Sequence, residues 1–160
     1  MRQSLPIVFA CAGCSNAGKV AYELGRTLTE KGIAEMSCLA GIGAANPLFL
    51  KKLKDREVWI IDGCPIECCR GVFEQVREKV NVHVRLHELG VRKNEEIPDA
   101  IEFENLITAA LEQVESQQEI STQRSKPTIS CALPMQSDEN PGAASIPDGT
   151  TVTNLLHFPP

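Results

Sequence analysis

The chain has 160 residues, of which 42% are hydrophobic and 4% aromatic, so it can build one domain around a chiefly aliphatic core. Its formal net charge is −5 and it has no basic run, which argues against a nucleic-acid partner because such proteins present a basic face to phosphates. No apolar stretch approaches the length that spans a bilayer, so we expect no membrane partner. The apolar run at residues 5–11 is too short for a typical signal peptide, so we expect a cytoplasmic protein with reduced thiols.

Apolar runs and helical stripes alternate along most of the chain. The apolar runs predict strands at residues 6–10, 34–39, 58–61 and 82–86. Helical patterning predicts helices at residues 16–31, 47–54, 67–80 and from residue 98 onward. Gly41 and Gly43 indicate a loop before the second helix. This alternation is typical of βαβ units, so we predict a small three-layer, Rossmann-like α/β domain with a parallel sheet of about four strands.

The composition changes beyond Ser116, where Ser, Gln, Thr, Pro and Asn dominate and no periodicity survives. We therefore divide the chain into an α/β metal-binding domain at residues 1–117 and a disordered tail at residues 118–160.

Polar residues near the strand ends have ordinary structural roles in this interpretation. Asp62 follows a buried strand, and we expect its carboxylate to cap a turn or helix. We expect His83, Arg85 and His87 to form one solvated face at the sheet edge. No Ser-His-Asp or paired-carboxylate pattern stands out, so the sequence leaves open both the catalytic residues and whether the protein is an enzyme.

Six of the seven cysteines lie within the first 69 residues, near the ends of apolar runs: Cys11, Cys14, Cys38, Cys64, Cys68 and Cys69. The carboxyl ends of parallel strands lie on one sheet edge, so thiols far apart in the sequence are expected to meet there. Thiolates favour zinc and other borderline or soft metals, and a structural zinc site takes four ligands. An iron–sulfur cluster or thiol redox chemistry stays open as an alternative, because spacing alone does not separate these sites.

Helix phase separates the neighbouring residues Cys68 and Cys69. On the helix after Pro65, Cys69 points into the apolar face that contains Phe73 and Val76, so we predict that it is a small core residue. Cys68 points to one side of that face and lies in the first turn, where the helix dipole favours a thiolate.

A second alternative comes from the segment from Gly13 to Val20, which nearly fits a phosphate-binding loop between a strand and a helix. Val20 stands where the motif needs a hydroxyl to bind Mg²⁺, so anion binding at the helix N-terminus is favoured over nucleotide hydrolysis. The candidate anion-binding residues are Gly13, Ser15, Asn16, Gly18 and Lys19. Ser15 and Asn16 also suit a helix N-cap, which is the role we favour for them.

Three motifs together resemble the DGC-domain family, which takes its name from the Asp-Gly-Cys found here at residues 62–64. The motifs are CAGCSNAGK at residues 11–19, MSCLAGIG at residues 36–43 and IDGCPIEC at residues 61–68. They follow the family's order, and the resemblance extends over about residues 6–115, which leaves the tail without a counterpart.

This resemblance implies a zinc site whose four ligands are Cys11, Cys38, Cys64 and Cys68. Cys14 is an additional candidate, since it stands where the family often has a small residue. The family has no established biochemical function, so the resemblance leaves a structural, catalytic or carrier role open and names no protein partner.

Overall fold

Four short apolar segments pair as strands in the computed structural model, which describes residues 4–13 and 15–124. The strands are β1 (Ile7–Ala10), β2 (Glu35–Met36), β3 (Val58–Asp62) and β4 (Val82–Arg85). All four run parallel in the order β2-β1-β3-β4, with Ala10 opposite Ile61 in the register of β1 and β3. The sheet confirms the predicted α/β class.

Helices connect these strands throughout the described residues. The α-helices are α1 (Asn16–Glu30), α2 (Leu39–Gly43), α3 (Pro47–Leu50), α4 (Cys68–Val76) and α5 (Ala100–Arg124). Short 3₁₀ helices follow α3 at Lys51–Leu53 and β4 at Leu86–Leu89. None of the helices in this part of the chain is long and apolar enough to cross a membrane.

The helices cover both faces of the sheet. Neighbouring residues of a strand point to opposite faces, so β1 can contact a helix on either side. Phe9 packs edge-on against Phe73 of α4, with ring centroids 5.2 Å apart, whereas the Ala10 side chain approaches Gly25 of α1. Helix α1 and helix α4 therefore lie on opposite faces, which confirms the three-layer arrangement and leaves every residue of β1 and β3 buried.

Two glutamine side chains of α5 bond to the backbone of the edge strand β4. Gln117 accepts a hydrogen bond from the His83 N–H at 2.9 Å and donates one to the His83 carbonyl at 2.9 Å. Gln113 accepts a hydrogen bond from the Arg85 N–H at 3.1 Å. These bonds satisfy backbone groups that an edge strand otherwise exposes. Helix α5 continues through Arg124, and the rest of the predicted tail lies outside the described residues.

Helix α2 occupies the segment where Gly41 and Gly43 indicated a loop. The absence of a side chain at Gly41 lets the Phe49 ring approach closely, because a Cβ there would lie 2.5 Å from Phe49 Cδ2. Gly41 therefore allows α2 to pack closely against α3, which contains Phe49. Helix α4 also ends earlier than expected, at Val76, because Arg77 takes a left-handed conformation with φ 58°.

Gly63, in the Asp-Gly-Cys motif, fixes how closely the segment after β3 approaches α1. A Cβ at Gly63 would collide with the Ala17 carbonyl group, whose carbon would lie 2.5 Å away. We therefore expect Gly63→Ala to lower the free energy of unfolding by at least about 2 kcal/mol, measured by urea unfolding with circular dichroism.

Gly71→Ala is the matched control, because a Cβ at Gly71 in α4 meets nothing within 4 Å. Alanine should raise the free energy of unfolding there by up to about 1 kcal/mol through its helix propensity. Equal effects of the two substitutions would contradict the proposed contact.

Candidate functional site

Three predicted ligands line one cleft at the carboxyl edge of the sheet. Cys11 follows β1, Cys38 follows β2 as the N-cap of α2, and Cys68 is the first residue of α4. The cleft has a volume of about 620 Å³, and its largely apolar wall includes Met36 and Val72. The sheet topology therefore gathers thiols from three segments that are distant in the sequence.

The fourth predicted ligand, Cys64, is buried and does not line the cleft. Burial raises the pKa of the Cys11 thiol above its ordinary value, and a hydrogen bond with the Gly13 backbone partly opposes this effect. The charges of Cys68, Asp62 and Cys64 raise the pKa of Cys11 further. Cys64 is thus close enough to Cys11 to interact with it electrostatically.

The four thiols have the right chemistry for zinc without forming a finished coordination site. All four are free, with Cys38 and Cys68 exposed and Cys11 and Cys64 buried. Within residues 4–13 and 15–124, no three Cys, His, Asp or Glu side chains are grouped so that they could hold a metal ion. Cys14 lies outside the described residues. The ligand assignment therefore stays a prediction.

Cys69 belongs to the core, as helix phase predicts. Its side chain has no exposed surface, and its Sγ lies 3.4 Å from the Ile61 carbonyl oxygen, to which it donates a hydrogen bond. Burial, followed by the negative charge of Asp62, raises the pKa of the Cys69 thiol far above its ordinary value. This cysteine is therefore held as a neutral thiol that packs beneath the cleft thiols.

The Asp62 carboxylate holds the start of α4. It is 1% exposed and accepts hydrogen bonds from the backbone N–H groups of Cys69 at 2.8 Å and Arg70 at 3.2 Å. Helix N-termini favour negative charge, and these N–H groups have no partner within the helix. The predicted capping role of Asp62 is confirmed, and the carboxylate fixes the position of the turn that carries Cys68.

His83 contacts the same carboxylate, which corrects the expectation that it belongs to a solvated face. His83 Nε2 lies 2.9 Å from Asp62 Oδ2, and the residue is 8% exposed. The strand register places His83 on the face of the sheet that α4 covers, so the imidazole is buried beside the Asp62 carboxylate. Arg85 is partly buried and forms an ion pair with Glu67 at 3.1 Å, and His87 is also only partly exposed.

Glu67 joins Cys64 to α4 through a conformation that is unusual for a residue with a side chain. It takes a left-handed backbone with φ 52° at the N-cap of α4. Its carboxylate forms ion pairs with Arg70 and Arg85, both at 3.1 Å. Such a conformation is sparsely populated by residues other than glycine, so these ion pairs help to hold the sharp turn that precedes Cys68.

The predicted anion loop is present as a capped helix start. Ser15 is the N-cap of α1, and its hydroxyl accepts a hydrogen bond from the Gly18 N–H at 3.3 Å. Asn16 donates to the Arg92 carbonyl at 3.3 Å, and Lys19 is exposed. Val20 is 2% exposed and belongs to the core, so it leaves the Mg²⁺ position of a phosphate-binding loop without a ligand. The N-cap role is confirmed for Ser15 but is wrong for Asn16, which is the first residue of α1. Anion binding stays a prediction.

Comparison with known proteins assigns this domain to a family. A sequence model of the DGC domain matches residues 7–117, which include all five described cysteines and the Asp-Gly-Cys motif. The chain belongs to the DGC-domain family.

One relative is similar to the chain over most of that relative's own length. The chain is 36% identical over 113 residues to the anaerobic and virulence modulator AnvM of Pseudomonas aeruginosa. The alignment covers 65% of this chain and 86% of that protein. No solved structure matches the chain.

Loss of the Asp62 carboxylate should destabilise the fold strongly, because three hydrogen-bond partners, two of them buried, lose their acceptor. We expect Asp62→Ala to lower the free energy of unfolding by at least about 3 kcal/mol, measured by chemical denaturation. Asp99→Ala is the matched control, since Asp99 is an exposed residue just before α5 that accepts from the N–H groups of Ile101 and Glu102 in the first turn of that helix. Asp99→Ala should lower the free energy of unfolding by about 1 kcal/mol. An equal loss in both variants would contradict the role assigned to the Asp62 carboxylate.

The burial of the thiols predicts the order in which they react with iodoacetamide in the native protein. Cys38 and Cys68 should react first, whereas Cys69 should react more than about a thousandfold more slowly, because its exposure requires unfolding. Peptide mass spectrometry after timed labelling measures these rates. Labelling of Cys69 at the rate of Cys68 would show that the start of α4 is not packed as described.

Proposed function

We propose that the protein binds zinc reversibly through the thiolates of Cys11, Cys38, Cys64 and Cys68. The observation that carries the proposal is the single cleft lined by Cys11, Cys38 and Cys68. We assign Cys64 as the fourth ligand because it is the cysteine of the Asp-Gly-Cys motif, which lies within the DGC match. Four thiolates are a ligand set that zinc accepts, and a cytoplasmic location would keep them reduced.

Reversible binding suits this arrangement better than a permanent structural site. The core around β1 and β3 is fully buried by apolar packing, so the fold has a source of stability other than a metal. Cys38 and Cys68 are exposed and would have to move toward Cys11 to complete a coordination shell. A bound ion would supply a cross-link between the three segments, and its affinity would rise with pH because thiols lose protons on binding.

A regulatory role is the class of function that we favour. The relative from Pseudomonas aeruginosa is named as a modulator, and the alignment with it covers 65% of this chain. A reversible cross-link at the sheet edge is a means by which metal availability would alter the surface of the domain. We therefore infer that this chain acts as a regulator whose state depends on its thiols.

Thiol redox chemistry is the second candidate function. The specific observation in its favour is that two free and exposed thiols, Cys38 and Cys68, line the same cleft. An iron–sulfur cluster belongs to the same alternative. The ultraviolet–visible spectrum of anaerobically purified protein separates the iron–sulfur cluster from zinc, because an iron–sulfur protein absorbs broadly in the visible and is brown, whereas a zinc thiolate protein is colourless.

Elemental analysis of the full chain, purified without oxygen, tests the zinc proposal. We expect about one zinc per chain, and we expect Cys64→Ser and Cys68→Ser each to weaken zinc affinity by at least about tenfold in competition with a chromophoric chelator. Cys131→Ser is the matched control, since Cys131 lies outside the DGC match, and it should leave the affinity unchanged. Full zinc occupancy in Cys64→Ser and Cys68→Ser would refute this ligand set.

A further inference from the structure

The cleft is much larger than a metal ion requires. Its volume of about 620 Å³ falls within the range of about 300–1,000 Å³ that is typical of pockets for small organic molecules. Met36, Leu39 and Val72 contribute apolar surface to it, and the exposed residues Ala12 and Ala40 also line it. The space is therefore open to solvent and suited to a ligand with an apolar body.

The lining also indicates the charge of the ligand. None of the described residues that line the cleft carries a formal charge when its thiols are protonated, and Tyr22 and Ser37 supply the side-chain hydroxyls. Burial of a charged group without a partner is costly, so this lining favours a neutral molecule. The remaining chemistry of the cleft resides in its thiols, which are soft nucleophiles.

We propose that the cleft binds a small, neutral, apolar molecule with an electron-poor carbon–carbon double bond, which an exposed thiol captures by conjugate addition. The thiol of Cys38 or Cys68 forms a sulfur–carbon bond to one alkene carbon, the π bond breaks, and the thiol proton ends on the neighbouring carbon. The step needs no oxidant or reductant. The inference goes beyond zinc binding, although it uses two of the same thiols, and it requires no bound metal.

A matched pair of electrophiles tests the proposal on the full chain. N-phenylmaleimide and unsubstituted maleimide carry the same reactive alkene and differ in the apolar ring. Their rates of addition at Cys38 and Cys68 are measured by peptide mass spectrometry and divided by their rates with glutathione. We expect a normalised preference for N-phenylmaleimide of at least about tenfold, which is about 1.4 kcal/mol of apolar binding. Equal normalised rates would overturn the proposal.

Variants that fill the cleft separate binding from simple thiol exposure. Ala12→Phe and Ala40→Phe place a ring in the cleft from two different segments. Each should nearly abolish the normalised preference for N-phenylmaleimide over maleimide. Ala100→Phe, at an exposed alanine outside the cleft, should keep it. A preference that survives in both filled variants would place the binding elsewhere and overturn the proposal.

The zinc measurement and the addition assay test the two proposals independently. Selective addition in a protein that binds no zinc would remove the metal proposal and leave the cleft proposal standing. Zinc binding without selective addition would overturn the cleft proposal and leave the metal proposal standing. The assay is therefore run on the protein as purified and again after treatment with a chelator, with selectivity expected in the chelator-treated sample.

Discussion

The site depends on the parallel pairing of β1 with both of its neighbours. Val8 lies opposite Met36 of β2, and Ala10 lies opposite Ile61 of β3. Each strand therefore ends at the same edge, and the residues that follow emerge side by side. An antiparallel strand would carry its cysteine to the far edge of the sheet, so the meeting of the thiols is a direct consequence of the βαβ topology.

Buried electrostatics then fixes the position of the thiol edge. Asp62, at the end of β3, bonds to the first turn of α4 and to His83 of β4, and so connects two strands and a helix. The cost of burying its carboxylate is offset by these hydrogen bonds, two of which come from a helix N-terminus. This network holds the edge without a disulfide among the five described cysteines, so the thiols of Cys11, Cys38, Cys64 and Cys68 stay free for chemistry.

The sequence predicts the parts of this structure that follow from local patterns. Apolar runs alternating with helical stripes predict the parallel sheet, and helix phase alone assigns Cys69 to the core. The interaction of His83 with Asp62 was missed, because alternation on an edge strand does not reveal which face a helix covers. Helix α2 was missed because Gly41, whose missing side chain admits the Phe49 ring, is a loop signal in sequence. Whether the cysteines complete a metal site depends on the positions of their side chains, which cannot be derived from the spacing of cysteines in the sequence.

The central claim is that thiols from separate segments act together on one ion. X-ray absorption at the zinc edge, on the full chain purified without oxygen, measures the atoms around the metal directly. The account predicts a shell composed of sulfur at about 2.3 Å from zinc. A shell of only nitrogen and oxygen, or the absence of zinc from that protein, would contradict it.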